Sequence, residues 1–121
     1  MLTGCCGFLG SRLARRLLFD GHKVVGVDDF SCGFPENIKD LDKHNNFEFV
    51  YADIATSYSE VPVVDIDTVV HFAARGELWL CRSNPRLAVD VNVGGTVTML
   101  KIARQTGCRH FVFADTSAEY D

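Results

Sequence analysis

The chain has 121 residues, the length of a single domain. With 47% hydrophobic residues it can build a core, which excludes a disordered chain, and a formal net charge of −4 argues against nucleic acid or an anionic membrane as its partner. No apolar run reaches the roughly 20 residues of a membrane span and no leader pattern precedes the first motif, while the five cysteines (Cys5, Cys6, Cys32, Cys81, Cys108) are odd in number and lack a CxxC pair. That pattern reads as reduced thiols of a cytoplasmic protein, with no disulfide frame and no metal site.

The first motif is Thr3-Gly4-Cys5-Cys6-Gly7-Phe8-Leu9-Gly10, with glycines at i, i+3 and i+6 behind a very short apolar lead. Glycine is needed where backbone turns tightly or approaches another group closely. A strand that ends in such a turn and feeds a helix leaves the first helical N–H groups and the positive end of the helix dipole facing one point, which suits a phosphate. Leu9, Leu13, Leu17 and Leu18 predict the apolar face of that helix, and Gly21 predicts its C-terminal cap. Arg12, Arg15 and Arg16 lie on other faces, as phosphate contacts or, more ordinarily, as a solvated surface.

Lys23–Asp28 reads as a buried parallel strand ending in an acid 18 residues after Gly10. In a strand–helix–strand unit that acid reaches the ribose of a dinucleotide, accepting from its hydroxyls and repelling a 2′-phosphate, so the spacing favours NAD over NADP; the competing role is a cap for the next loop. Asp29, Ser31, Cys32 and Gly33 continue as a loop over the adenosine. A helical turn is expected at Glu36–Leu41 and a third strand at Phe47–Ala52, followed by Asp53, an adenine contact or an N-cap. Thr56–Val63 predicts a short crossover, broken by Pro62.

Asp67–Ala74 predicts a fourth strand ending in small residues against which a cofactor can lie. His71 reads as a packed strand residue, Glu77–Arg82 as a helical turn, and Trp79 as core or interface. Asn84 caps the longest helix, which opens on Pro85, carries an apolar stripe of Val89, Val93, Val97, Leu100 and Ala103, and closes at Gly107. Close packing against the sheet is the expected reason for Gly94 and Gly95 within it. His110–Ala114 predicts a fifth strand. The alternation implies an α/β fold with a parallel sheet of order 3-2-1-4-5, right-handed crossovers, and the ligand above the strand C-termini.

Taken together these motifs resemble the extended short-chain dehydrogenase/reductase family, the NAD-dependent epimerases and dehydratases of nucleotide sugars, along essentially the whole chain. Thr3–Gly10 matches that family's TGxxGFxG fingerprint, Val27-Asp28-Asp29 its ribose-binding strand end, Asp53-Ile54 its adenine pair, and His71-Phe72-Ala73-Ala74 the strand along the cofactor. Asn92, in Val91-Asn92-Val93-Gly94-Gly95-Thr96, matches the helix asparagine that supports the active site, and Phe111–Tyr120 resembles the segment carrying the catalytic Ser/Thr, which places that role on Thr116.

The resemblance implies a Rossmann-type three-layer sandwich with residues 1–121 as an NAD(P)-binding domain, truncated at both ends. NAD would be held by Gly4, Gly7, Phe8, Leu9, Gly10, Asp28, Asp29, Cys32, Gly33, Asp53, Ile54, Phe72, Ala73, Ala74 and Asn92. The parent would be an enzyme acting on a nucleotide sugar through transient hydride transfer. Ser117 and Ala118, where the sugar dehydratases carry Asp and Glu, look more like UDP-sugar 4-epimerases, while Glu36-Asn37-Ile38 is shared in look with UDP-glucuronate decarboxylases. UDP-glucuronate decarboxylase and dTDP-sugar dehydratase therefore stay as alternatives within the family, and a homodimer of the parent stays open. The family's catalytic Tyr-x-x-x-Lys would lie beyond Asp121, and Tyr120 has no lysine to match it. The 121-residue chain alone is expected to be inactive, and an NAD-binding module or an inactive fragment are the rival readings.

Overall fold

A computed structural model describes residues 1–62 and 65–116, the side chain of Tyr58 excepted; Val63, Ser117, Ala118, Glu119 and Tyr120, which figured in the expectations, lie outside the described residues. Five parallel strands form one sheet: β1 (Leu2–Thr3), β2 (Val24–Asp28), β3 (Phe47–Tyr51), β4 (Thr68–His71) and β5 (His110–Phe113). Their order is β3-β2-β1-β4-β5, as the alternation of elements implied. The helices are α1 (Phe8–Phe19), α2 (Leu78–Ser83), α3 (Pro85–Val89) and α4 (Thr96–Gln105), with single 3₁₀ turns at Pro35–Asn37 and Tyr58–Glu60. Among the described residues, no helix is long and apolar enough to cross a membrane.

β1 is only two residues long, yet it lies at the centre of the sheet. Leu2 and Thr3 pair with Gly26 and Val27 on one side and with Val70 and His71 on the other. Flanking bonds extend this pairing: the N-terminal ammonium of Met1 donates to the Thr68 carbonyl at 2.8 Å, and the Gly4 N–H donates to the Val27 carbonyl at 2.9 Å. Apolar cores cover both faces, as an α/β layer structure requires. On the α1 side Leu2, Ala14, Leu18, Val24 and Leu41 pack with Cys5 and Cys6; on the α4 side Val27, Ile54, Val69, Met99 and Ile102 pack together.

Four expectations about packing need correction. Leu9 is exposed, because α1 turns Gly10, Ser11, Ala14 and Leu18 to the sheet. The stripe Val89, Val93, Val97 and Leu100 also faces outward; the sheet takes the face of Val91, Gly95, Met99, Ile102 and Ala103 instead. Gly95 shows why: a Cβ there would sit 2.5 Å from Ile54 Cδ1, whereas Gly94 has open space and no packing reason. Trp79 is 70% exposed and is therefore not a core residue. The long helix is also not uniformly α, since Asp90–Gly95 forms a π-helical turn between α3 and α4. Such turns widen a helix locally and recur at functional sites. Asn84 caps α3 as expected, its Oδ1 accepting the Leu87 N–H at 3.2 Å.

Candidate functional site: a cleft at the strand C-termini

The glycine turn carries the chain from β1 into α1. Gly4 has φ +69, and a Cβ on it would lie 2.8 Å from the Ala73 nitrogen at the end of β4. Gly10 is required for a different reason, since its Cβ would fall 2.0 Å from the Gly4 carbonyl oxygen. Gly7 has φ −75, so it is not held by left-handed backbone. Its nearest neighbour to a built Cβ is the Gly4 oxygen at 3.3 Å, so the residue is small because it lines a cleft. No side chain caps α1 and no acid sits in its first turn, which leaves the helix N-terminus to an outside acceptor.

The cleft opens along the C-terminal ends of β1, β2, β3 and β4. Of the expected cofactor residues it is lined by Gly4, Gly7, Asp28, Asp29, Cys32, Gly33, Asp53, Ile54, Phe72, Ala73 and Ala74. Phe8, Leu9, Gly10 and Asn92 do not line it. The Phe8 and Leu9 side chains are exposed on the outer face of α1, Gly10 is spent on the turn, and Asn92 acts from behind the lining. Ser31, expected in the loop over the adenosine, lines it too, and Arg75 and Val91 are lining residues to which the sequence assigned no contact with the cofactor. For Arg75 the available signal was its place directly after the small residues that end β4.

Asp28 ends β2 with only 7% of its surface exposed. Its Oδ2 accepts the Cys6 N–H of the glycine turn at 2.9 Å and its Oδ1 accepts the Phe30 N–H at 2.9 Å. Burial raises its pKa above the ordinary carboxylate value, and the two backbone donors work against that rise. The same carboxylate thus fixes the turn and holds Phe30 at φ +59, a conformation that bulky residues rarely adopt. Stacking of Phe30 on Phe49, with ring centroids 5.3 Å apart, secures it from the other side. Asp53 follows β3 and folds its carboxylate back onto its own loop, accepting from the Ala55 N–H and the Thr56 hydroxyl, each at 2.8 Å. It is a local cap and a lining residue at once.

Behind the cleft runs a buried polar chain. Thr3 Oγ1 lies 2.7 Å from His71 Nδ1, His71 Nε2 lies 3.0 Å from Thr96 Oγ1, and Thr96 Oγ1 donates to the Asn92 carbonyl at 2.6 Å. Thr3 Oγ1 also accepts the N–H groups of Phe72 and Ala73. Because Thr96 spends its proton on Asn92, it must accept from Nε2–H; because Thr3 accepts two amides, its proton goes to Nδ1. Every group is satisfied by one arrangement, a neutral His71 protonated on Nε2. Burial lowers the His71 pKa to about 4, in agreement with this assignment. His71 is a packed strand residue, as read from the sequence.

The Asn92 side chain leaves the π turn and closes on Arg75, accepting its N–H at 2.7 Å and donating to its carbonyl at 2.9 Å. The arginines of α1 serve the surface: Arg15 binds Asp40 and the Asn37 carbonyl, Arg16 binds Asp20, and Arg12 stacks over Phe8. Thr116 follows β5 at the same edge of the sheet as the cleft, exposed, with its N–H donating to Asp115 Oδ1 at 2.8 Å.

All five cysteines are free thiols. Cys5 and Cys6 approach to 3.8 Å beside Asp28, a grouping with metal-ligand chemistry. Its hydrogen bond to Cys6, together with burial, raises the Cys5 pKa and keeps that thiol protonated, and both Asp28 oxygens already accept backbone N–H groups. The thiols are accounted for as core packing beneath the turn.

Comparison with known proteins agrees with this geometry. The sequence model of the "NAD dependent epimerase/dehydratase family" matches residues 1–121. A UDP-glucose 4-epimerase of Mycolicibacterium smegmatis is 39% identical over 114 residues, covering 93% of this chain and 36% of its own length. UDP-glucuronic acid decarboxylase 1 of Danio rerio is 33% identical over 120 residues, covering 99% of this chain and 28% of its own. Among solved structures, the Thermus thermophilus UDP-glucose 4-epimerase in complex with NAD superposes with a TM-score of 0.81 at 28% identity, over 95% of this chain and 36% of that one. The chain thus spans about a third of the length of the relatives it matches.

Proposed function

We propose that this chain, which belongs to the NAD-dependent epimerase/dehydratase family, is the dinucleotide-binding portion of an enzyme that epimerises a UDP-sugar at C4. One observation carries the reading: the Gly4–Gly10 turn, the uncapped start of α1 and the Asp28 carboxylate converge on a single cleft at the strand C-termini. The residues fit the cofactor. A Cβ at Gly7 would stand where a diphosphate must approach, Asp28 offers its remaining lone pairs to ribose hydroxyls, and Ala73 and Ala74 leave room along β4.

Bound there, NAD would supply reversible hydride acceptance at a sugar carbon without net consumption. The chain's own share is positional. The glycine turn and the first N–H groups of α1 hold the diphosphate. Asp28 orients the adenosine ribose and disfavours a 2′-phosphate there. Asp53 faces the adenine. Asn92 fixes the backbone after β4. Thr116 hydrogen-bonds the reacting sugar hydroxyl and so acts as the catalytic residue of this part. The base that takes the hydroxyl proton is the family's tyrosine, outside this chain, and general acid–base assistance is worth roughly 10²–10⁴-fold. The 121-residue chain by itself is therefore inactive.

A second reading within the family, UDP-glucuronate decarboxylation, is favoured by the 33% identity to the Danio rerio decarboxylase. Product analysis of the whole protein separates the two. Interconversion of UDP-glucose and UDP-galactose supports epimerisation, and carbon dioxide from UDP-glucuronate supports decarboxylation. Turnover by the 121-residue chain that disappears on Thr116→Ala would overturn the division of labour proposed here.

A further inference from the structure

We propose that Arg75 is the anion clamp of the cleft, its guanidinium taking the diphosphate of the bound dinucleotide; this rests on the dinucleotide reading above and adds a residue to it. Among the described residues that line the cleft, Arg75 is the only cation, against the carboxylates of Asp28, Asp29 and Asp53. A dinucleotide brings two more negative charges into that acidic setting. The glycine turn offers only partial charges to oppose them.

The Arg75 side chain is 13% exposed, yet its present partners are poor. Nη1 contacts Cys32 Sγ at 2.9 Å, Nη2 lies 3.9 Å from Asp29 Oδ2, and Nε is buried with no hydrogen-bond partner. A guanidinium carries five N–H donors in a planar fork suited to phosphate oxygens. The Glu77 carboxylate, which accepts from the same Cys32 thiol, adds opposite charge nearby but no hydrogen bond to the guanidinium among the described contacts, and Nε stays an unpaired donor in a buried site, which is costly. The diphosphate supplies the acceptors that are missing.

Placement points the same way. Arg75 is rooted just after Ala73, which packs against Gly4 of the phosphate turn, and its head reaches Cys32 and Asp29 beyond the end of β2. The side chain is thus rooted on the diphosphate side and its head rests on the ribose side, so taking the diphosphate means exchanging Cys32 and Asp29 for phosphate oxygens. Its root is immobilised by both bonds to Asn92, so the head can change partners while the backbone stays in place.

The test is calorimetric titration of the chain and of its Arg75→Gln and Arg75→Lys variants with NAD, ADP-ribose, adenosine and UDP-glucose at two salt concentrations. Arg75→Gln is expected to weaken NAD and ADP-ribose by about tenfold or more, to leave adenosine unchanged, and to flatten the salt dependence. Arg75→Lys is expected to recover the salt dependence but only part of the affinity; it also carries the test if the Gln variant does not fold. Unchanged NAD affinity in a folded variant, an equal loss for adenosine, or a loss confined to UDP-glucose would overturn the assignment. Failure of the unsubstituted chain to bind NAD is a separate result, and it would overturn the dinucleotide reading itself.

Discussion

The side-chain amide of Asn92 grips the backbone of Arg75 from both directions, N–H and carbonyl, across 17 residues of sequence. Asn92 lies within the π turn, so the widened helix and the end of β4 are held as one unit. Replacing Asn92 with Asp keeps the acceptor for the Arg75 N–H and sets a carboxylate against the Arg75 carbonyl. We predict a loss of about 1–3 kcal/mol in stability and weaker NAD binding. Thermal unfolding and calorimetry measure the two effects, and a variant with unchanged values in both would remove Asn92 from the account.

His71 gives the fold a pH dependence. Its ordinary pKa of 6.5 falls to about 4 in the folded chain. A histidine that resists protonation in the native state contributes stability that is complete above pH 6.5 and is lost as pH falls from there toward 4. The shift corresponds to roughly 3 kcal/mol. His71→Leu should lack this slope at acid pH. At neutral pH it should be less stable by roughly 1–3 kcal/mol, because the Thr3 hydroxyl proton loses its acceptor and Thr96 Oγ1 loses the Nε2–H donor. Denaturant melts of both proteins between pH 4 and 7 provide the check, and parallel pH profiles would refute the neutral-imidazole network.

The glycine turn separates folding from binding. Gly7→Ala places a methyl group in the cleft, 3.3 Å from the Gly4 carbonyl oxygen, a tight contact that a small backbone shift relieves, so the variant should lose less stability than Gly10→Ala while losing NAD affinity. Gly10→Ala drives its Cβ into the Gly4 carbonyl at 2.0 Å, and should cost about 3 kcal/mol or more in stability. Melting temperature and NAD affinity measured on both variants distinguish the two roles. Equal effects on stability would mean that the turn is only structural.

The parts legible in the sequence were those whose chemistry is local. Three glycines before a helix and an acid at the end of the second strand announced the turn and Asp28, because tight turns and strand ends constrain residue type directly. The sheet order followed from strand–helix alternation. The outward face of α4 was not legible, since two helical stripes compete and the one that packs, Val91 to Ala103, carries Gly95, whose missing Cβ lets the helix lie close against Ile54. Gly7 was assigned to the site, but its backbone is not left-handed; the left-handed φ of the turn belongs to Gly4, and Phe30 beside the cleft adds another that no residue pattern predicts. Arg75 was missed because its importance comes from being the one cation among the described lining residues, a property of the assembled cleft.

Asp28 carries the central claim. Its carboxylate is buried at the turn, and burial raises its pKa, so NAD affinity should fall as pH drops through that raised value and protonates it. The most direct measurement is side-by-side calorimetric titration of the chain with NAD and NADP at neutral pH. The account predicts measurable NAD binding and NADP weaker by about tenfold or more, a difference of about 1.4 kcal/mol, because a 2′-phosphate would face this carboxylate. Equal or tighter binding of NADP, or binding of neither, would contradict it.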